Sequence, residues 1–368
     1  MSLGKQRVGL IFGGRSAEHE VSVDSARTIA SALEQAGHEP IPLGLAADGS
    51  WVSEAQSRGA LAGERNRLSG EGGTARSTLP RLLDSAADVL FPIVHGTWGE
   101  DGCLQGLAEM MDIPYVGCDV ASSAVCMDKH RCKVELDASG FPVVAGFTFL
   151  ARSYFGHRRD QIMSLFDLSR LSWPVFVKPS LGGSSVGVAK VHDEEGFLAA
   201  LEKAFTLSPT VEVERAVVGR ELECAILGQH NVRASVVGEI VASRDFYDYT
   251  DKYLEDGAEL RAPAPIPEEV SENLREMALG AFTAVGGSGM ARVDFFWEES
   301  VDELWINEIN TLPGFTAISM YPRLWQLSGL TLPELVDELL VAAFQRAEDR
   351  QRLDAGIARF LTELEAAD

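Results

Sequence analysis

Short apolar runs separated by polar, glycine-rich breaks set the pattern of this chain, and most of its chemistry-bearing side chains fall at the breaks. Arg7 to Phe12 (RVGLIF) reads as a buried strand and runs into Gly13-Gly14-Arg15-Ser16-Ala17-Glu18. Ala26, Ile29, Ala30 and Leu33 then recur at helical spacing, with Gly37 placed to end the helix. A strand at Pro40–Leu45 completes a β-α-β unit. The stretch 48–77 is polar and rich in Gly, Ser and Arg, and reads as a variable surface excursion. Asp88 to Val94 is a further buried strand ending at His95-Gly96, followed by a helix stripe (Leu104, Leu107, Ala108, Met111) and a short strand at Ile113–Val116. Strands alternating with helices predict a doubly wound parallel sheet, with its binding crevice at the carboxyl ends of the strands. Glu18 and His95 both follow such ends. A first domain closing near Ala124 is the natural cut.

The second block opens with a helix carrying Met127-Asp128-Lys129-His130 and ending at Gly140. Strands are predicted at Pro174–Lys178, Val188–Val191, Thr210–Glu214, Glu221–Leu227 and Arg233–Ala242, with a helix through Phe197, Leu201 and Phe205. A helix through Val270, Leu274, Met277 and Ala281 introduces two apolar runs, ARVDFFW and LWINEIN, joined by an acidic connector: an antiparallel hairpin. Two amphipathic helices close the chain, one through Leu335, Leu339 and Phe344, the other through Leu353, Phe360 and Leu364.

Composition narrows the function. The 368 residues allow two or three domains, and 46% hydrophobic with 24% charged residues is ordinary for a globular protein. A formal charge of −23 argues against nucleic acid or an anionic membrane as the main partner, while leaving room for a local basic pocket. No apolar run reaches the roughly 18 residues of a membrane span, and the start has no secretory layout. Five scattered cysteines without a CxxC pair fit reduced thiols in the cytoplasm.

The hairpin carries the most specific candidate chemistry. Side chains alternate along a strand, so Arg292, Asp294 and Phe296 share a face, as do Glu308 and Asn310. Asp294, Glu308 and Asn310 can then aim hard oxygen ligands at one point, as a magnesium ion gripping phosphates requires. The alternative is a solvent-facing polar side on an edge hairpin. The loop Gly182–Gly187 offers backbone N–H groups with small side chains, an anion nest, and Lys178 can add positive charge. It is not a Walker A loop, because Val188 stands where that motif has lysine. Lys129 reads equally as a solvated helix lysine and His95 as a satisfied histidine at a strand end. The aromatic and acidic stretch Phe246–Tyr253 suits a lid, or else fills core from a folded-back loop.

Gly13-Gly14 through Ser22, His95-Gly96, Met127-Asp128-Lys129, Val177-Lys178-Pro179 with Gly183–Gly187, Phe246–Tyr253, Ala291–Asp294 and Asn307–Ser319 stand in one order along nearly the whole chain. In that order they resemble the D-alanine:D-alanine ligases of the ATP-grasp superfamily. The resemblance implies a three-domain ATP-grasp α/β architecture: 1–124 with the parallel sheet, 125–243, and 244–368 with a lid loop at 245–262. It implies ATP between the second and third domains, with Lys129 and Lys178 on its phosphates and Ser184 and Ser185 folded over them. Glu214, Arg215 and Val217 would belong to a hinge strand reading adenine, Glu221 would hold ribose, and Phe246 and Phe296 would sandwich the base. Two Mg2+ (or Mn2+) ions would sit on Asp294, Glu308 and Asn310. Glu18 would hold the first D-alanine's ammonium, with His95 in the same site.

Ser319 and Lys252 would contact carboxylate or phosphate, and Tyr253 would close the lid through Ser184 and Glu18. Arg292 and the Gly314 N–H would hold the oxyanion. The implied product is D-alanyl-D-alanine for peptidoglycan precursors, made through an acyl phosphate by a cytoplasmic homodimer with no membrane or nucleic-acid partner. The base for the second step is open between phosphate and a chain through Tyr253 and Ser184. Ligases that accept D-lactate or D-serine, and a non-catalytic nucleotide-binding module, are the competing readings. A nicotinamide enzyme would need a glycine fingerprint that Gly13-Gly14 lacks.

Overall fold

The structure, a computed structural model, describes residues 3–183, 185–242 and 258–367. Ser184 and the expected lid residues Phe246, Lys252 and Tyr253 lie outside these. The first layer is built on β1 (Arg7–Gly13), flanked by β2 (Glu39–Leu45) and β3 (Val89–Pro92), all parallel in the order β2-β1-β3. Val8, Leu10, Ile11 and Phe12 are all buried, as expected for a parallel strand covered on both faces. Helix α1 (His19–Gln35) buries its predicted stripe of Ala26, Ile29, Ala30 and Leu33.

The turn from β1 into α1 is pinned from three sides. Gly13 has φ +92°, and a Cβ there would lie 2.3 Å from the Leu45 carbonyl oxygen. Its N–H donates to Ser22 Oγ at 2.8 Å, and the Ser22 hydroxyl donates onward to the Ile93 carbonyl beyond β3. Segment 48–77 departs from expectation: it folds against α1. Leu68 is buried in the same core, and Arg27 of α1 donates to the carbonyls of Ala60 and Arg65. Polar composition concealed this because the apolar anchors, Trp51, Val52, Ala60 and Leu68, are few and follow no period, and the rest are backbone carbonyls. The expected strand at 113–116 is a single bridge, Leu90 to Tyr115.

The predicted helix through 127–130 is broken. One helix ends at Met127, Asp128 takes β-region angles, and α2 (Lys129–Ala138) starts afresh. The second sheet has the order β4 (Gly146–Leu150), β7 (Thr210–Arg215), β5 (Val175–Pro179), β6 (Ala189–Val191). One face packs Phe149, Val175, Val177, Val211 and Val213 with Phe197 and Leu201 of α3 (Glu194–Phe205). The other face carries Lys178, Glu212 and Glu214.

The third sheet is antiparallel, in the order β10 (Ala258–Arg261), β9 (Arg233–Ala242), β8 (Arg220–Gly228), β11 (Gly289–Glu298), β12 (Glu303–Asn310). Strands β8 and β9 precede the expected cut at 243 yet belong to this sheet: β8 pairs with β11, from Gly228 opposite Gly289 to Arg220 opposite Trp297, and β9 pairs with β8. Their shared apolar face explains it: Leu222, Cys224 and Ile226 join Val293 and Phe295 in one core with α4 (Glu268–Ala284). After β12 come α5 (Met320–Leu327) and α6 (Leu332–Ala367). The two closing helices expected from the sequence are this one helix of 36 residues, because the polar stretch between their stripes consists of strong helix formers. Among the described residues no helix is long and apolar enough to cross a membrane.

Replacing Gly13 with alanine combines a left-handed backbone with a clash against Leu45. The substitution is expected to cost about 2 kcal/mol or more, read as a lower urea midpoint at unchanged slope.

Candidate active site

Strands β11 and β12 place the predicted hairpin residues opposite one another: Arg292 faces Asn310 and Asp294 faces Glu308. A register shift follows between Asp294 and Phe295. On the other side of β11, Asp294 faces Glu223 of β8. Three strands thus converge five polar side chains on one face, while Ala291, Val293 and Phe295 fill the core behind. The hairpin does lie at the sheet's edge, with β12 outermost, but its polar side does not face open solvent: Arg292 and Asp294 are largely buried, and Arg292, Glu308 and Asn310 line a cleft.

The Arg292 guanidinium is the centre of this group. Its Nε and Nη2 donate to the two carboxylate oxygens of Asp294 at 2.7 Å each, and its Nε lies 3.1 Å from Glu223 Oε1. Burial opposes its charge, but Asp294 and Glu223 outweigh burial and raise its pKa further. Lys129 pairs with Glu308 at 2.7 Å and donates to the Gly182 carbonyl at 3.0 Å. Burial works against that ammonium as well, and the Glu308 charge overcomes it. Asn310 Oδ1 accepts from the Leu312 N–H at 3.0 Å.

These groups open into a cleft of ≈ 1170 Å³ between the first and third sheets. Glu18, His95, Lys129, Arg292, Glu308, Asn310, Gly314 and Ser319 all line it. Glu18 stands at the start of α1, and its Oε2 lies 3.2 Å from where a Cβ on Gly183 would be. His95 is buried with Nδ1 3.1 Å from the Leu312 carbonyl oxygen, and its Nε2 has no hydrogen-bond partner among the described residues. Burial pulls the His95 pKa down, but Glu100 and Glu18 more than offset it. Ser319 Oγ accepts from the Thr316 N–H at 3.0 Å, fixing the turn that presents Gly314.

A second group sits where the second sheet meets the third. Lys178 pairs with Glu214 Oε2 at 2.5 Å, and Lys133 of α2 also pairs with Glu214. Burial, then the like charge of Lys133, pushes Lys178 down to about 7. Arg215 grips Glu298 of β11 with two contacts, 3.2 and 2.7 Å, and lies over the Trp305 ring at 4.7 Å. Val217 follows in the connection to β8, and Glu221 stands opposite Phe296 across β8 and β11. Ser185 has φ +57° in the glycine loop.

Asp128 joins the two groups. Its carboxylate caps α2 and accepts from Ser180 Oγ at 2.5 Å, and the Lys129 N–H donates to the Ser180 carbonyl at 3.0 Å. Sequence reading missed Glu223, Lys133 and Glu212. Each had a periodic signal: Glu223 is two from Glu221, Glu212 two from Glu214, and Lys133 four from Lys129.

The oxygen donors of Asp294, Glu308 and Asn310 suit a divalent cation completed by substrate phosphates. Their carboxylates are neutralised here by Arg292 and Lys129. Among the described residues no cluster of three His, Cys, Asp or Glu side chains could hold a metal by itself.

A family model described as D-ala D-ala ligase N-terminus matches residues 7–118, and one described as D-ala D-ala ligase C-terminus matches 136–341. The D-alanine–D-alanine ligase A of Chromobacterium violaceum is 46% identical, covering 97% of this chain and 99% of its own length. That of Escherichia coli K12 is 44% identical, covering 93% and 96%. The solved structure of the D-alanine-D-alanine ligase from Coxiella burnetii gives a TM-score of 0.78 at 34% identity, covering 96% of this chain and 99% of that one. The VanG D-Ala:D-Ser ligase from Enterococcus faecalis gives 0.76 at 32%, covering 92% and 100%.

Lys178 makes stability depend on pH. In the unfolded chain its pKa is near 10.5, so between about 7 and 10.5 the unfolded state binds more protons and stability rises with pH. Lys178→Met is expected to flatten that rise in the ligand-free protein. A residue of it remains, because burial lowers Lys133 too. Urea midpoints measured from pH 6.5 to 10 check this.

Proposed function

We propose that this chain, which belongs to the D-alanine–D-alanine ligase family, joins two D-alanine molecules with hydrolysis of ATP to ADP and phosphate. The observation that carries the reading is the cleft. It assembles Arg292, Glu308, Asn310 and Lys129 with Glu18 and His95 from a different sheet. Binding a nucleotide alone needs no buried guanidinium facing a cleft that Glu18 and His95 also line.

ATP, a substrate, fits the junction of the second and third sheets. Lys129 and Lys178 would exchange their carboxylate partners for phosphate oxygens, with the 182–187 loop and its Ser184 and Ser185 covering them. The backbone of Glu214–Val217 would meet the adenine edge, Glu221 the ribose, and Phe296 with Phe246 the ring faces. Asp294, Glu308 and Asn310 would hold two Mg2+ or Mn2+ ions, which supply charge neutralisation at the transferred phosphoryl group. We divide the chain into domains at about residue 124 and, following the third sheet, just before Arg220.

The carboxylate of the first D-alanine, its ammonium held by Glu18 beside His95, attacks the γ-phosphorus and forms an acyl phosphate with ADP leaving. That intermediate is open to hydrolysis, so Tyr253 and Lys252 are assigned to a covering lid. The neutral amine of the second D-alanine, its carboxylate on Ser319, then attacks the acyl carbon. Arg292 and the Gly314 N–H hold the resulting oxyanion until phosphate departs. We place the enzyme in the cytoplasm as a homodimer supplying peptidoglycan precursors. The curated relatives at 44–46% identity are D-alanine–D-alanine ligases, which favours D-alanine as acceptor.

Phosphate release from Mg-ATP is expected only with D-alanine present, and more slowly with D-lactate or D-serine as second substrate. Release without D-alanine would overturn the assignment. Arg292→Ala is expected to retain ATP binding by calorimetry while turnover drops by about a hundredfold or more.

A further inference from the structure

Three ammonium groups and three carboxylates meet where α2 approaches the second and third sheets. Lys129 pairs with Glu308 at 2.7 Å and Lys178 with Glu214 Oε2 at 2.5 Å. Lys133 pairs with Glu214 Oε1 and lies 3.8 Å from Glu212 Oε1. The function proposed above uses Lys129 and Lys178 but gives Lys133 no task. Yet Lys133 is only 7% exposed, and an ammonium is rarely buried so far unless something requires it there.

Local periodicity builds the cluster. Lys129 and Lys133 are four apart and share a face of α2. Glu212 and Glu214 share the face of β7 opposite its core residues Val211 and Val213. The register sets Lys178 of β5 opposite Glu212, and its ammonium reaches diagonally to Glu214. Glu214 is therefore held by two lysines, one on each oxygen. These two are not equivalent. Lys178 stands at the end of β5, just before the 182–187 loop. Lys133 is the more buried, and among the described residues its ion-pair partners are Glu212 and Glu214. Glu212 in turn has Lys133 as its ion-pair partner, and its Oε2 has no hydrogen-bond partner among the described residues.

We propose that Lys133 is a positioning residue of the nucleotide site: it stays on Glu214 and so frees Lys178 to pass to a phosphate oxygen. This rests on the nucleotide reading above. Without Lys133, Lys178 would be the one cation on Glu214, and its departure would leave a buried carboxylate unpaired, which is strongly unfavourable. Glu214 also opens the 214–217 stretch assigned to the adenine edge, so a Glu214 held through the exchange holds that stretch as well. The exchange moves a proton. Lys178 is faced by Lys133 and Lys129 of α2, Glu212 and Glu214 of β7, and Glu308 of β12. Burial, then the Lys133 charge, holds Lys178 at about 7, so at pH 8 it is mostly neutral in the empty protein. A phosphate partner favours the charged form, and nucleotide binding at pH 8 therefore takes up a proton. With Lys133 removed its repulsion is gone, and Lys178 is charged before the nucleotide arrives.

The test is calorimetry of the full chain with Mg-ATP and no D-alanine, at pH 8, in two buffers of different ionisation enthalpy. It reads affinity and proton uptake together, independently of ligase turnover. The wild type is expected to bind with proton uptake. Lys133→Met is expected to bind at least about tenfold more weakly and to lose that uptake. Lys133→Met/Glu212→Gln removes one charge of each sign, so it leaves the junction neutral should the single variant fail to fold, and the same two losses are expected of it. Unchanged affinity in the folded variants overturns the proposal. So does proton uptake that does not differ between wild type and variants, since weaker binding alone is what a purely structural role would give. A wild type that binds no Mg-ATP overturns the nucleotide reading itself, and this assignment with it.

Discussion

A buried guanidinium that two carboxylates must neutralise governs how this molecule is put together. The buried charge of Arg292 is offset by Asp294 and Glu223, and each acid in turn is neutralised by it. That mutual requirement fixes the register of β8, β11 and β12, because a one-residue slip would turn the charges into the apolar core and the core outward. Lys129 with Glu308, and Lys178 with Glu214, repeat the device at the rim. The cleft is thus a set of paired charges laid out on a sheet, and the first sheet closes it with Glu18 and His95, which follow β1 and β3.

Much of this was legible in the sequence where a single period dominated. The alternation in ARVDFFW and LWINEIN yields the hairpin and its shared face, and the helical spacing of Ala26, Ile29, Ala30 and Leu33 yields α1. What was not legible has physical causes. Segment 48–77 docks through a few scattered apolar side chains and through backbone carbonyls, which together leave no periodic signature. The two closing stripes belong to one helix, since a gap in hydrophobicity is not a gap in helix propensity. The break at Asp128 depends on Ser180, which lies far along the chain.

The site was legible by a different route. Lys129, Lys178, Glu18 and His95 are individually unremarkable, and only their order along the chain pointed to one chemistry. Glu223, Lys133 and Glu212 were within reach of simple periodicity but went unread, because a second acid or lysine on the same face looks like ordinary surface charge until the strands are assembled. Strand β8 belongs with β11 for a similar reason: which sheet a strand joins is decided by long-range pairing, not by its neighbours in sequence.

The helix start at Asp128 has a consequence for how the molecule moves. Lys129 takes its backbone position from the Ser180 loop of the second sheet, while its ammonium rests on Glu308 of the third. Any hinging between those sheets must part that contact, and a bare ammonium facing a bare carboxylate would resist it. A polyphosphate entering with its counterions gives each separated group a new neighbour at the moment of parting. Separation of the two sheets and capture of a polyphosphate would then be coupled through Lys129.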